Sequence, residues 1–405
     1  GATFDLSDYG ITVTTTTDLE TGAAITGTTT ETVTRTFTTA VTLNGTATFS
    51  SVGEDVTNDF QDALTLGSGT AGTSVDFSYS TVTQIGDLTI SNASTMDLDG
   101  ATYTYSGGAV DMANLTLSTN SNTILTLSAT AGITNFPGIS ELYSLNVTTA
   151  NGPTLTNDLT VTDDVDIDAA GGLTIGANKL TVNGEFTNDV SGAVVADGSE
   201  LVLNGPATFT ADISTDNATS ITFGGSGTIT TFPGAAITVN KITYNRPGES
   251  TTLTGDVITF DGTNPELNVT AGTIITAVDA AFTQTTATTV TVGANGKLDF
   301  ATNTNTNTFV GTLTGTGVID ISGAISSITF SGPYSFTGEL ITDASTEIIF
   351  DTDASDVDLN SSVEDLNILT YDRAGTTLTL NSDLTLASDP VITAGTIDVN
   401  ANTLT

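Results

Sequence analysis

Asp163, Asp164, Asp166 and Asp168 interleave with Val165 and Ile167 in the stretch TDDVDID. If the two aliphatic residues point inward from a strand, Asp164, Asp166 and Asp168 leave one outer face at intervals of about 6.6 Å. Hard oxygen ligands at that spacing hold Ca²⁺. Asp353, Asp356 and Asp358, beside Val357 and Leu359, form a second group of the same kind. The competing reading of both is a solvated outer face whose like charges prevent edge-to-edge aggregation. The chain contains no Cys and no His, which removes thiol nucleophiles, disulfides, cysteine zinc sites, the commonest general base and the usual transition-metal ligand. Chemistry is left to carboxylates, hydroxyls and tyrosine, and the sequence asks for no cofactor beyond calcium.

Paired carboxylates also suit glycoside hydrolysis, which needs two acids about 5–9.5 Å apart. Sugar clefts combine such acids with aromatic platforms and directional donors, and this chain has no Trp, no His and few arginines. A carboxylate-dependent polysaccharide-degrading enzyme is therefore a distant alternative, and the expectation is that the protein is not an enzyme. Arg246 and Arg373 each follow a tyrosine by two residues. Their functional reading is a bidentate clamp on a carboxylate of the next coil or next subunit. Their ordinary reading is a surface salt bridge worth less than about 1 kcal/mol. Seven Asn-x-Ser/Thr triplets, among them Asn92, Asn146 and Asn268, occur about as often as so much Ser and Thr produces by chance.

The charge balance limits the partners. Six Lys and Arg stand against 46 Asp and Glu, a formal net charge of -40. Binding to phosphate backbones or anionic headgroups depends on Lys and Arg, so nucleic acid is excluded as a partner. No apolar run is long enough for a transmembrane helix, and membrane insertion is not expected. With 38% hydrophobic residues the chain can bury a core and should fold. The acidic surface, the abundant Thr and the missing Cys suit an exported chain kept soluble by charge. Gly1 in place of Met reads as processing. The expected location is extracellular, at the cell surface.

The elements that position these residues are strands. Helical periodicity is nearly absent, whereas period-2 alternation recurs, as in Leu378, Leu380, Leu384 and Leu386 or in Leu159, Val161, Val165 and Ile167. Threonine fits the pleat through its restricted χ1, and Asn-Gly and Gly-Gly pairs punctuate the strands. Residues 199–223 align without gaps on 326–350, a shift that also carries Tyr244-Asn245-Arg246 onto Tyr371-Asp372-Arg373. An earlier copy begins at Thr134, and comparison of intervals places about 29 extra residues, roughly one coil, in the second copy. A solenoid accepts a whole extra coil because each coil meets only its neighbours. The expected fold is an all-β parallel β-solenoid, or β-helix, of degenerate coils. A string of antiparallel β-sandwich domains is the alternative. The organisation reads as an N-terminal non-repetitive region over 1–85, a first repeat block over 86–198, a second over 199–325 and a third, truncated block over 326–405.

The stretch LTNDLTVTDDVDIDAAGGLTIGANKLTVNGEFTN, residues 155–188, resembles the coils of secreted bacterial β-helical repeat proteins of the adhesin and surface-filament type. The resemblance covers roughly 86–405 and rests on composition and rhythm. It implies extracellular scaffolding or adhesion and transfers no binding residue. The calcium-binding glycine–aspartate nonapeptide of toxin-type repeats is absent. The expected function is a structural subunit of a cell-surface filament or layer, its partners other copies of itself. The alternative is an adhesin that binds glycans or another surface. Ala401-Asn402-Thr403-Leu404-Thr405 repeats Ala177-Asn178-Lys179-Leu180-Thr181, but the earlier copy continues into further strands. The edge at Leu404 is thus expected to be completed by the segment Phe4, Leu6, Tyr9, Ile11 and Val13 of another copy, in a head-to-tail contact that propagates. The same segment could instead cap its own solenoid.

Overall fold

A computed structural model describes the backbone of residues 3–5, 11–13, 17–19, 24–26 and most of the chain from 32 onward. These described residues contain strands and turns and no helix. Two compact units, Gly1–Val195 and Ala196–Thr405, divide the chain, and each is a parallel β-solenoid. The antiparallel sandwich alternative is excluded, because the strands pair in parallel with partners about one coil away. Local sequence explains the short strands. Apolar residues alternate with Thr, Asp or Asn for three to five positions until Gly, Asn or Asp turns the chain.

In the first unit, Val33–Phe37, Val56–Phe60, Thr81–Gln84, Thr102–Tyr105, Ile124–Leu127, Ser144–Val147, Val165–Ile167 and Phe186–Asn188 stack in one sheet. Phe37 pairs with Phe60, Leu125 with Leu145 and Val165 with Phe186. This register places the inward residues in continuous rows, and a slip of one residue would turn every row outward. Phe37 and Phe60 stack at 4.7 Å, and Phe49 and Phe77 at 5.3 Å. The segment 1–85, which the sequence sets apart, contributes strands to these same sheets. Thr3–Asp5 pairs with Ala24–Thr26, and Ile11–Val13 with Val33–Phe37. A coil needs alternation and turns but not sequence identity between repeats.

The second unit holds four strands of 11 or 13 residues, Lys241–Leu253, Glu266–Thr276, Thr289–Asp299 and Ile368–Leu380. Each exceeds one straight face. Between Asn245 and Ser250 the register against Glu266–Thr276 shifts, so that 246–249 lie opposite Gly272. Gly272 has φ +86, and a Cβ there would lie 2.2 Å from the Arg246 carbonyl oxygen. Inside, Phe309, Phe330 and Phe350 stack at 5.4 and 5.2 Å.

A buried threonine closes a recurrent corner in both units. Thr123, Thr219 and Thr346 are fully buried and donate Oγ1 to the carbonyls of Leu98, Ala196 and Ile321 at 2.9, 2.9 and 3.1 Å. Each Oγ1 also accepts the N–H of the residue three positions earlier, Asn120, Asp216 or Asp343. One hydroxyl thereby satisfies a local turn and ties it to the preceding coil.

Candidate metal centre and the buried arginines

Val165–Ile167 pairs with Phe186–Asn188, with Asp166 opposite Thr187 and Ile167 opposite Asn188. Val165, Ile167 and Phe186 are buried in the coil interior, so alternation sends Asp164, Asp166 and Asp168 outward, as the sequence suggests. Asp189 follows Asn188 and occupies the next coil's equivalent of Asp168. Carboxylate oxygens of Asp166, Asp168 and Asp189 lie within 4.8 Å of one another. Burial, and then the charges of Asp168, Asp189, Glu185 and Asp164, push the Asp166 carboxyl above the usual carboxylate range. Its Oδ1 is shielded from water and meets no donor. Asp189 and Glu185 did not figure in the sequence reading. The signal for them was the 21-residue step that aligns TVTDDVDID with TVNGEFTND.

The remaining predicted ligands serve other ends. Asp163 accepts a hydrogen bond from the Tyr143 hydroxyl. Asp164 Oδ1 accepts the N–H of Glu185, one coil on, at 2.8 Å. Asp353, Asp356 and Asp358 do not converge as expected. Asp353 faces Arg373 at 3.3 Å and accepts the N–H of Ser355. Asp356 Oδ1 accepts the N–H of Thr377 at 2.7 Å, and Asp358 pairs in register with Thr379 on the exposed face. Asp353 thus has a cation and a local N–H, and Asp356 an N–H one coil on. Asp158 with Lys179 and Asp383 with Thr403 repeat the same bond from carboxylate to next-coil N–H, while others, such as Asp97 and Asp299, accept the N–H two residues on in their own turn.

The arginines divide between the expected alternatives: Arg373 faces a carboxylate of the neighbouring coil, Asp353, at 3.3 Å, whereas Arg246 holds backbone carbonyls. Arg246 and Arg373 are wholly buried, and so are neither surface salt bridges nor contacts offered to another subunit. Arg246 Nη2 donates to the carbonyls of Leu203 and Gly205 at 3.0 and 2.6 Å, and Nη1 to that of Gly227. Arg373 Nη2 donates to Phe330 and Gly332 at 2.7 and 2.8 Å. Arg35, which the sequence reading passed over, is equally buried and faces the Phe49 carbonyl and Asn58 Oδ1. Burial lowers the pKa of all three guanidinium groups. With every arginine inside, the cations left to the surface are three lysines. Lys241 pairs with Glu266 at 2.7 Å, and Lys297 with Asp299 and Asp320 at 2.9 Å each.

Of the segment expected to bridge copies, Phe4, Ile11 and Val13 pair through their backbones with Ile25, Arg35 and Phe37 of the same chain. Their side chains, and Leu6 and Tyr9 entirely, lie outside the described residues. Leu404 is half-buried and bridges Leu384. Val391–Asp398 pairs with Ile368–Leu380, and Val391, Ile392 and Val399 are 48, 48 and 40% exposed.

Three carboxylates within 4.8 Å suit a hard cation. They lie on the outer face of a sheet, with Asp168 and Asp189 exposed. The interior voids lined by Tyr244 and Leu267 and by Tyr103 and Met112 measure about 10 Å³ each, room for one water at most. The chain matches no protein-family model, no curated protein and no solved structure.

Proposed function

We propose that this chain is an extracellular structural protein, a subunit of a cell-surface filament or layer in which copies join head to tail through β-strand contacts. The observation that supports it is the parallel ladder in each unit. Every coil answers the backbone groups of the one before, so a terminal strand of such a stack is a template for another strand of the same geometry. Whatever strand next lies on Val391–Asp398, more of the same polypeptide or the first strand of another copy, would cover Val391, Ile392 and Val399. The N-terminal strands already use one edge within their own chain, so joining another copy would use their opposite edge. The anionic surface keeps such a polymer dispersed.

Electron microscopy of the purified chain tests the proposal. Regular fibres are expected, and deletion of residues 1–16 should abolish them while leaving a soluble β-rich protein. Isolated rods from the full chain, or fibres from the truncated one, would overturn head-to-tail strand contact. Adhesion to a glycan or another surface is the second reading, supported by Tyr79 and Tyr143, which are 61 and 38% exposed. No observation favours polysaccharide hydrolysis.

A further inference from the structure

In a solenoid each coil ordinarily touches only its immediate neighbours. Arg246 departs from that rule. Tyr244 aligns with Phe223, and Phe223 with Leu203, so Leu203 and Gly205 belong to the coil two before the arginine. Nη2 reaches both of their carbonyls, and Nη1 reaches Gly227 in the coil between. Arg373 repeats the arrangement. Tyr371 aligns with Phe350 and Phe350 with Phe330. Nη2 takes the carbonyls of Phe330 and Gly332, while Nη1 faces Asp353 and the Ser355 carbonyl in the intermediate coil. The guanidinium also lies 5.5 Å from the Phe350 ring centre.

The surroundings are matched as well. Gly205 and Gly332 each precede a proline, which has no N–H. A tyrosine–threonine hydrogen bond flanks each arginine, Tyr244 with Thr251 at 2.9 Å and Tyr371 with Thr376 at 2.6 Å. Gly248 and Gly375, both at φ +78, turn the chain outward just past the arginine. The arginine therefore spans three coils from inside while its own turn projects from the surface.

We propose that Arg246 and Arg373 are three-coil clamps, which make 200–246 and 328–373 unfold as two blocks within the second unit instead of coil by coil. Opening the third coil alone would strand a buried guanidinium and the carbonyls it holds, so loss of that coil carries the two beneath it. The inference goes beyond the filament reading and stands whether or not copies associate.

Native-state hydrogen exchange on the full chain, resolved by mass spectrometry, tests it. In the unaltered protein Glu200–Leu203, Ser220–Phe223 and Lys241–Tyr244 should exchange as one group. In Arg246→Met, exchange at Glu200–Leu203 should rise about tenfold or more, with Ile328–Phe330 unchanged, and Arg373→Met should show the converse. Ile242→Ala trims the same strand without touching the clamp and serves as control. If Ile242→Ala accelerates Glu200–Leu203 as much at an equal loss of melting temperature, or if Arg246→Met affects Lys241–Leu253 alone, the clamp is wrong. Should Arg246→Met fail to fold, Arg246→Lys keeps the charge without the fork. The same uncoupling is then expected, and unaltered exchange overturns the proposal.

Discussion

Around Val357 in the second unit, buried Arg373 takes Asp353 at 3.3 Å and the carbonyls of Phe330 and Gly332. Around Val165 in the first unit, Asp166, Asp168 and Asp189 crowd within 4.8 Å, and Asp166 Oδ1 meets no donor. The two regions start from similar strings of Asp and aliphatic residues. One difference between them is a buried cation, which faces Asp353 and has no counterpart among the groups that act on Asp166. Beside the arginine, Asp353 has a cationic partner and Asp356 a backbone one. At Asp166, burial and then the neighbouring carboxylates raise the carboxyl pKa instead.

The contrast collapses most visibly if its cation is removed. Arg373→Ala should destabilise the protein by about 3–5 kcal/mol, because an internal pair and two charge-assisted bonds vanish together. Thermal melting checks this, and a loss under about 1 kcal/mol would mean that the corner does not depend on the arginine. Asp353→Asn keeps the arginine's carbonyl contacts and should cost only about 1 kcal/mol.

Hydroxyls extend the contrast between answered and unanswered groups. Tyr103 in the first unit and Tyr334 in the second are buried with hydroxyls that find no partner, and burial raises both phenol pKa values. Tyr103→Phe and Tyr334→Phe should each stabilise by about 1 kcal/mol, since an unpaired hydroxyl is traded for nothing lost. A fall in melting temperature would reveal a partner for the hydroxyl.

Acid should affect the two kinds of carboxylate oppositely. Burial pushes Asp216, Asp320 and Asp343 up, but hydrogen bonds outweigh it and hold all three below the usual range, with Lys297 contributing at Asp320. Their contribution is complete above the unfolded carboxylate range and is lost as pH falls through the depressed folded values. Asp166 is raised, so its protonated form favours the fold, and ionisation withdraws that support as pH rises through its folded value. Melting temperature should thus fall on acidification below about pH 4. Asp166→Asn should stabilise the protein by about 0.5 kcal/mol or less near pH 7, the partial exposure screening the gain, and should do nothing once Asp166 is protonated. A gain that persists in acid would assign the effect to packing.

The smallest effect concerns calcium. At constant ionic strength calcium should raise the melting temperature, and Asp189→Asn should remove that increment, since a ligand bound by the native state alone stabilises it. Identical melting in calcium and in chelator would leave the acidic face simply solvated.

Much of the fold was legible because a strand's side-chain period depends on local residues alone. Alternation placed Val165 and Ile167 inside and Asp164, Asp166 and Asp168 outside, and the gapless repeat with one coil inserted selected a stack over a closed sandwich. The same alternation contained the buried arginines. Val33, Arg35 and Phe37 alternate, as do Ile242, Tyr244 and Arg246 and then Leu369, Tyr371 and Arg373. Alternation alone does not place an arginine inside, because arginine is so rarely buried.

Residue order was enough to set the strands, their inward rows, the excess of acid and the pairing of Tyr-x-Arg copies. Which carboxylates meet, and what the arginines hold, depended on how the coils stack. Asp168 meets Asp189 after one circuit of the coil, and Arg246 meets Leu203 after two, only because each circuit returns the chain above itself. The length of a circuit depends on where each turn falls, such as the bend in which 246–249 stand opposite Gly272. Contacts along a strand are set by bond geometry, whereas contacts between coils are set by the summed length of every turn between them.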